Sequence, residues 1–268
     1  SSPPPVLLLN AATSTIALMT LIVFGPILNS LVPLPKTLES EETDMFTVMK
    51  AGSELGLWKT LGTTANLYGL SLTSANHAAF LIQLTTLIVP AYQGMMGVPI
   101  PTRIWTAIGL AVAGIAIFTQ DASGGGDLAG STVLLGDGLC ALAAGFYATY
   151  DLRLFDLGKK VAPLPLIRTK IATQAILSCG TLAFVGEGGL ASAYEYMQSL
   201  ISSPEDALLI GGAAVWSGLA VNAVAPFLQV AGQQTVGASR AQVLYASQPL
   251  WASFLSFIML HETLGEKG

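Results

Sequence analysis

Apolar residues fall along this chain in blocks of about 20, broken by Gly, Pro and small clusters of charge. A helix rises about 1.5 Å per residue, so a block of that length matches a hydrocarbon core of roughly 30 Å. The pattern predicts eight membrane-spanning helices: Val6 to Val32, Ala51 to Leu70, Ala75 to Gly94, Ile104 to Phe118, Val133 to Leu154, Leu166 to Val185, Ala207 to Gly232 and Ala238 to Leu260. Ile104 to Phe118 is short and is expected to extend into its flanks. Two connections read as loops, the acidic LESEETD at residues 38 to 44 and QDASGGGDLAGS at 120 to 131. The segment GLASAYEYMQSL reads either as a short amphipathic helix on the membrane surface or as plain loop.

Composition supports lipid over water as the solvent. Of 268 residues 52% are hydrophobic and 10% charged, against roughly 25% charged in a soluble domain. Too little charge is present to cover a water-facing surface. The net charge of −5, with no basic stripe, excludes the electrostatic footprint of a nucleic-acid binder. Cys140 and Cys179 both lie in apolar blocks and read as small packing residues, since two separate thiols make neither a disulfide framework nor a metal site. The first block lacks the basic flank of a signal peptide and reads as a transmembrane helix. The absence of an initial methionine reads as the mark of a fragment or a processed chain.

Counting Lys and Arg in alternate connections sets an expected orientation. One set of loops and flanks holds Lys36, Lys50, Arg103, Arg153, Lys159, Lys160, Arg168, Lys170 and Arg240; the other holds only Lys267, beside Asp121, Asp127, Glu187, Glu195, Glu205, Asp206 and Glu262. The first set is expected on the cytoplasmic side, with both chain ends outside.

The blocks also repeat. PVLLLNAATSTIALMTLIVF aligns with PLIRTKIATQAILSCGTLAF at an offset of 160, pairing Pro5 with Pro165, Ala12 with Ala172, Thr13 with Thr173, Ile16 with Ile176 and Phe24 with Phe184. Further on the offset becomes 163, pairing Gly69 with Gly232, Ala75 with Ala238, Ala78 with Ala241, Leu81 with Leu244 and Leu87 with Leu250. The regular order implies two units, 1–119 and 133–268. Val133 to Leu154 has no counterpart in the first unit and Ile104 to Phe118 none in the second. The expectation is ten spans in the intact protein, eight of them here, with the first and tenth missing. Because five is odd, the second unit enters from the opposite side, an inverted repeat of the kind secondary transporters use.

These segments carry a resemblance. LYGLSLTSANHAAFLIQLTTLIVP followed by RIWTAIGLAVAGIAIF resembles the third to fifth helices of EamA-like proteins of the drug/metabolite transporter superfamily. LGDGLCALAAGFYATYDLR is similar to their sixth helix, and GASRAQVLYASQPLWASFLSFIMLHETLG to their ninth with its closing turn. The resemblance covers nearly the whole chain and implies an all-α membrane protein, a multi-helix bundle of two inverted five-helix repeats. Members of the superfamily carry amino acids, drugs, nucleotide sugars and other metabolites, so no single substrate is implied. The chain departs from the family at Gly97-Val98-Pro99, where a Gly-Glu is common, so that only Glu262 remains of two repeat-related acids. LESEETD and AGSELGLWKTLG resemble plastid-type members, which leaves plasma membrane and organelle envelope both open.

Polar residues inside the blocks supply the candidate substrate site. Lys59, Thr63 and Asn66 fall at i, i+4 and i+7, one face of a helix. A shift of 163 lands on Asn222, Pro226 and Gln229, with Gln233 one turn beyond. Unpaired polar groups are costly in hydrocarbon, so these stripes must face other helices or a wet cavity. They either line that cavity or join helices by hydrogen bonds. Lys59 reads as the only basic residue well inside a span, either snorkelling to the cytoplasmic side or holding an anionic group. Asn76, Phe80, Gln83, Leu87 and Pro90 share a face, as do Tyr245, Gln248 and Pro249, and the prolines mark ordinary kinks or exposed carbonyls. Tyr147 and Asp151 form an i, i+4 pair; Asp151 is either a proton-coupling acid or a partner for Arg153 or Lys170. His77 reads as interfacial. Gly109 with Ala113, and Ala141 with Gly145, are spaced for close helix approach.

The implied function is a secondary transporter of small polar metabolites or drugs working by alternating access. Its expected partners are a small-molecule substrate and the bilayer, with a second copy of the chain as a candidate, and no cofactor is called for. A channel or a non-transporting scaffold is the alternative. An enzyme is not expected, because His77, His261 and two separate cysteines form no metal or nucleophile constellation.

Overall fold

The apolar blocks become helices, and their polar content decides which sit in the middle and which at the edge. In the computed structural model the described residues are 6–31, 44–73, 75–97, 127–184 and 189–236, with 102–103, 105–106, 109, 241, 244–245 and 258. They form α1 (Val6–Leu31), α2 (Met45–Leu72), α3 (Ala75–Ile82), α4 (Thr85–Met95), α5 (Asp127–Leu157), α6 (Pro163–Phe184), α7 (Gly189–Ile201), α8 (Pro204–Trp216), a π-helical segment (Ser217–Val224) and α9 (Ala225–Val236). No strand occurs among them.

Three stretches are long and apolar enough to cross a membrane: Leu7–Leu31, Ser131–Leu157 and the continuous Pro204–Gln233. The more polar α2 and α6 lie inside. α2 packs against α5 and α6, α1 against α6 and the π segment, and α3 and α4 against α5. One core joins α1, α2, α5, α6 and α9, with Leu21, Leu55, Tyr150, Ile171 and Phe227 all buried in it, while α3 and α4 meet α5 in two smaller clusters. α8 buries none of its residues, and Leu208, Leu209, Val215 and Trp216 stand exposed on it. A large apolar exterior is costly in water and suits lipid.

Glycines set the spacing around α2. A Cβ on Gly56 would stand 2.7 Å from the Lys170 carbonyl and the Thr173 side chain on α6, and one on Gly62 would stand 2.6 Å from the Tyr147 ring on α5. Gly52 lies as close to Thr169, so Gly52 and Gly56, four apart, let α2 approach α6 backbone to backbone. Across the bundle Gly218 of the π segment sits against Ile16 and the Thr13 carbonyl of α1.

The helices depart from regularity at their prolines. Pro26 cannot donate to the Ile22 carbonyl, and Arg168 of α6 reaches across instead, donating to the carbonyls of Leu21 at 2.9 Å and Ile22 at 3.4 Å. Ahead of Pro226 the ladder widens to i→i−5, with the Ala225 N–H on the Ala220 carbonyl, and the Asn222 side-chain amide also donates to the Ser217 carbonyl at 3.0 Å. The block expected as one span from Ala75 to Gly94 is two helices. Around Gln83 and Leu84 the bonds tighten to i→i−3, one to two turns before Pro90.

Several other expectations change. α5 begins at Asp127, so the end of the expected 120–131 loop is helical. The Ala141 and Gly145 pair makes no close crossing, since a Cβ on Gly145 meets nothing within 4 Å. The crossing face of α5 is instead Gly136 and Cys140, pressed against Gly69. Cys140 is the packing thiol expected, whereas Cys179 is exposed, with its Sγ 4.0 Å from Thr15 Oγ1 of α1. GLASAYEYMQSL is helical, within α7. The spans expected at Ile104 to Phe118 and Ala238 to Leu260 lie almost entirely outside the described residues.

Candidate functional site

Polar side chains from α2, the α3–α4 joint, α5, α6, the π segment and α9 converge on one partly open cavity of about 750 Å3. That is the size of a small-molecule site, typically about 300 to 1,000 Å3. Lys59, Thr63, Asn66, Gln83, Tyr147, Asn222, Gln229 and Tyr245 all line it. Gln248 lies outside the described residues, as do the side chains of Asn76, His77 and Phe80.

Their hydrogen bonds divide them. Thr63 accepts from the Tyr147 hydroxyl at 3.3 Å, joining α2 to α5. Gln229 and Gln233 donate to Oδ1 of Asp151 at 3.1 and 3.3 Å, joining α9 to α5. These are interhelical bonds of the gluing kind. By contrast, among the described residues Asn66 Oδ1, the Tyr150 hydroxyl and Gln233 Oε1 are buried with no partner. Such groups normally find one, and all three residues line the cavity.

Charge in the cavity comes from Lys59, Lys170 and Asp151. The Lys59 ammonium lies 4.2 Å from the centroid of the Tyr147 ring and 5.6 Å from that of Tyr150; the Lys170 ammonium lies 5.4 Å from the same Tyr150 ring. A tyrosine face attracts a cation through its quadrupole and partly replaces lost water.

Two expectations are corrected here. Lys59 is not the only basic residue deep in a span, because Lys170 is 2% exposed. The reason is that α6 starts at Pro163, ahead of the expected Leu166, which sets Lys170 two turns inside, where α6 meets Gly56 of α2. Nor does Asp151 pair with Arg153. The two are two residues apart on α5 and point different ways, and Arg153 forms a two-point ion pair with Glu54, its Nη2 at 2.9 Å from Oε2. Lys59 lines the cavity and is half-buried. Tyr150 escaped sequence reading; its position one residue before Asp151, three after Tyr147, was the available signal.

No protein-family model, curated protein or solved structure matches the chain.

Proposed function

We propose that this protein is a secondary transporter of a small polar metabolite, binding its substrate in the interior cavity and working by alternating access. The observation that carries the reading is the convergence of polar side chains from both halves of the chain on one cavity inside an apolar helix bundle. A packing core would fill that space, whereas a carrier needs it. Two helices lose their regular ladder beside it, at Gln83 and before Pro226. Discontinuous helices at a central site are a device of transporters, because they present unpaired backbone groups to cargo.

The reading includes the inverted repeat and membership of the EamA-like group. Thr13 and Thr173, matched at an offset of 160, each receive a glycine from the following helix of the opposite unit. Gly218 sits on Thr13 and Gly56 on Thr173. The two crossings are what a two-fold axis through the α1–α6 contact would relate. In this orientation the end of α5 and start of α6, with Lys159 and Lys160, is cytoplasmic, and α7 lies on the outer face.

The test is flux through the purified protein in liposomes, using amino acids, sugars, nucleotides and organic acids that raise its melting temperature. Uptake that saturates with concentration is expected. Flux that rises linearly without limit would instead identify a channel.

A further inference from the structure

We propose that the cargo carries an oxyanion, a carboxylate or phosphate group, held between the ammonium groups of Lys59 and Lys170 on the Tyr150 ring. The inference rests on the transport reading of the same cavity. The lining contains two cations and one carboxylate. Asp151 is drawn toward α9, where its Oδ1 accepts from two glutamine amides. Among the described residues neither ammonium has a carboxylate at ion-pair distance; each lies over tyrosine rings, with the Asp151 charge reaching Lys170 from farther off. An ammonium as buried as Lys170 without an anion in contact is strongly disfavoured, and two that share one ring also repel each other. An arriving oxyanion relieves both penalties.

The remaining groups fit that cargo. The Tyr150 hydroxyl is buried, unpartnered and a donor, the type of group that completes the hydrogen bonding of a carboxylate or phosphate. Asn66 and Gln83 lie farther along α2 and the α3–α4 joint. They offer amides to a polar body behind the charged head. A cationic cargo would meet like charge at the same place.

The test uses four probes in liposomes containing the purified protein: succinate, inorganic phosphate, the uncharged glucose and the dication putrescine. Saturable uptake of succinate or phosphate is expected, the two arms separating a carboxylate head from a phosphate head. Lys59→Met and Lys170→Met should each weaken it at least tenfold, and Lys59→Arg, which keeps the charge, should retain it. Glucose and putrescine should fail to compete. If glucose or putrescine is the saturable cargo, or if oxyanion uptake is unchanged in both Met variants, the anion assignment is overturned and the carrier remains. No saturable uptake of any probe overturns the assignment together with the carrier reading for these cargo classes. Should a Met variant not fold, the Arg variant and the competition arms still decide.

Discussion

Charge meets apolar helices at two places in this bundle, and the chain completes only one of them. In the first half of α2, Glu54 and Arg153 hold each other through two contacts, at 27% and 43% side-chain exposure. In the interior, Lys59 and Lys170 share a tyrosine ring, and among the described residues three buried polar atoms lack partners. The outer pair fastens α2 to α5 and asks for nothing more. The inner group is built from the same two helices plus α6 and α9, and in the proposed reading it is where cargo binds. Polar content alone does not separate a fastening from a binding site; the balance of donors, acceptors and charges does.

The largest expected effect comes from removing the spacing on which both places depend. Gly56→Leu would drive a side chain into the Lys170 carbonyl and Thr173, and overpacking on this scale costs about 3 kcal/mol. It should lower the melting temperature sharply, whereas Gly145→Leu, which points into open space, should leave it unchanged. Equal melting temperatures would remove the basis for the tight α2–α6 crossing.

A sharper contrast separates binding from fastening. Asn66→Leu, Gln83→Leu and Gln229→Leu should each weaken cargo affinity by roughly 5- to 100-fold, the loss of about 1 to 3 kcal/mol of polar contact. Interhelical hydrogen bonds in membranes are worth only about 0.6 kcal/mol, so melting should hardly move. Gln229 is the most exacting of the three, because it also holds Asp151. Lowered melting with intact affinity in all three would make these residues glue.

The smallest effect is expected at the outer pair. Glu54→Gln should cost about 0.5 kcal/mol, in keeping with partly exposed ion pairs, and leave affinity as it was. A change in affinity there would mean that the two places are not independent.

The cavity was legible because a helix carries Lys59, Thr63 and Asn66 to one face wherever it packs, and a polar stripe in an apolar block has few destinations. The matching stripe of Asn222 and Gln229 followed from the repeat. Lys170 was harder to place. A lysine a few residues inside a block reads as a snorkelling flank until the helix start is known, and boundary errors of one turn reverse that reading. The direction of Asp151 depended on the glutamines of α9, a long-range contact with no local trace. The crossings were readable in part, since Gly52 and Gly56 stand four apart, but Gly145 stands at the same spacing from Ala141 and a Cβ there meets nothing within 4 Å among the described residues. Small residues permit a close approach without choosing its side. The widening before Pro226 had only the proline as a signal, and a proline kinks a helix in several ways.

Alternating access of the cavity itself is most directly tested by one cysteine placed at Thr63, with Cys140 and Cys179 replaced by Ala. In sealed vesicles that hold a potassium gradient, a membrane-impermeant thiol reagent should label Thr63→Cys when added to either face in turn, and the gradient should persist. Labelling from neither face would leave the cavity closed to cargo, and labelling from both faces with collapse of the gradient would make it a pore; either result contradicts a carrier.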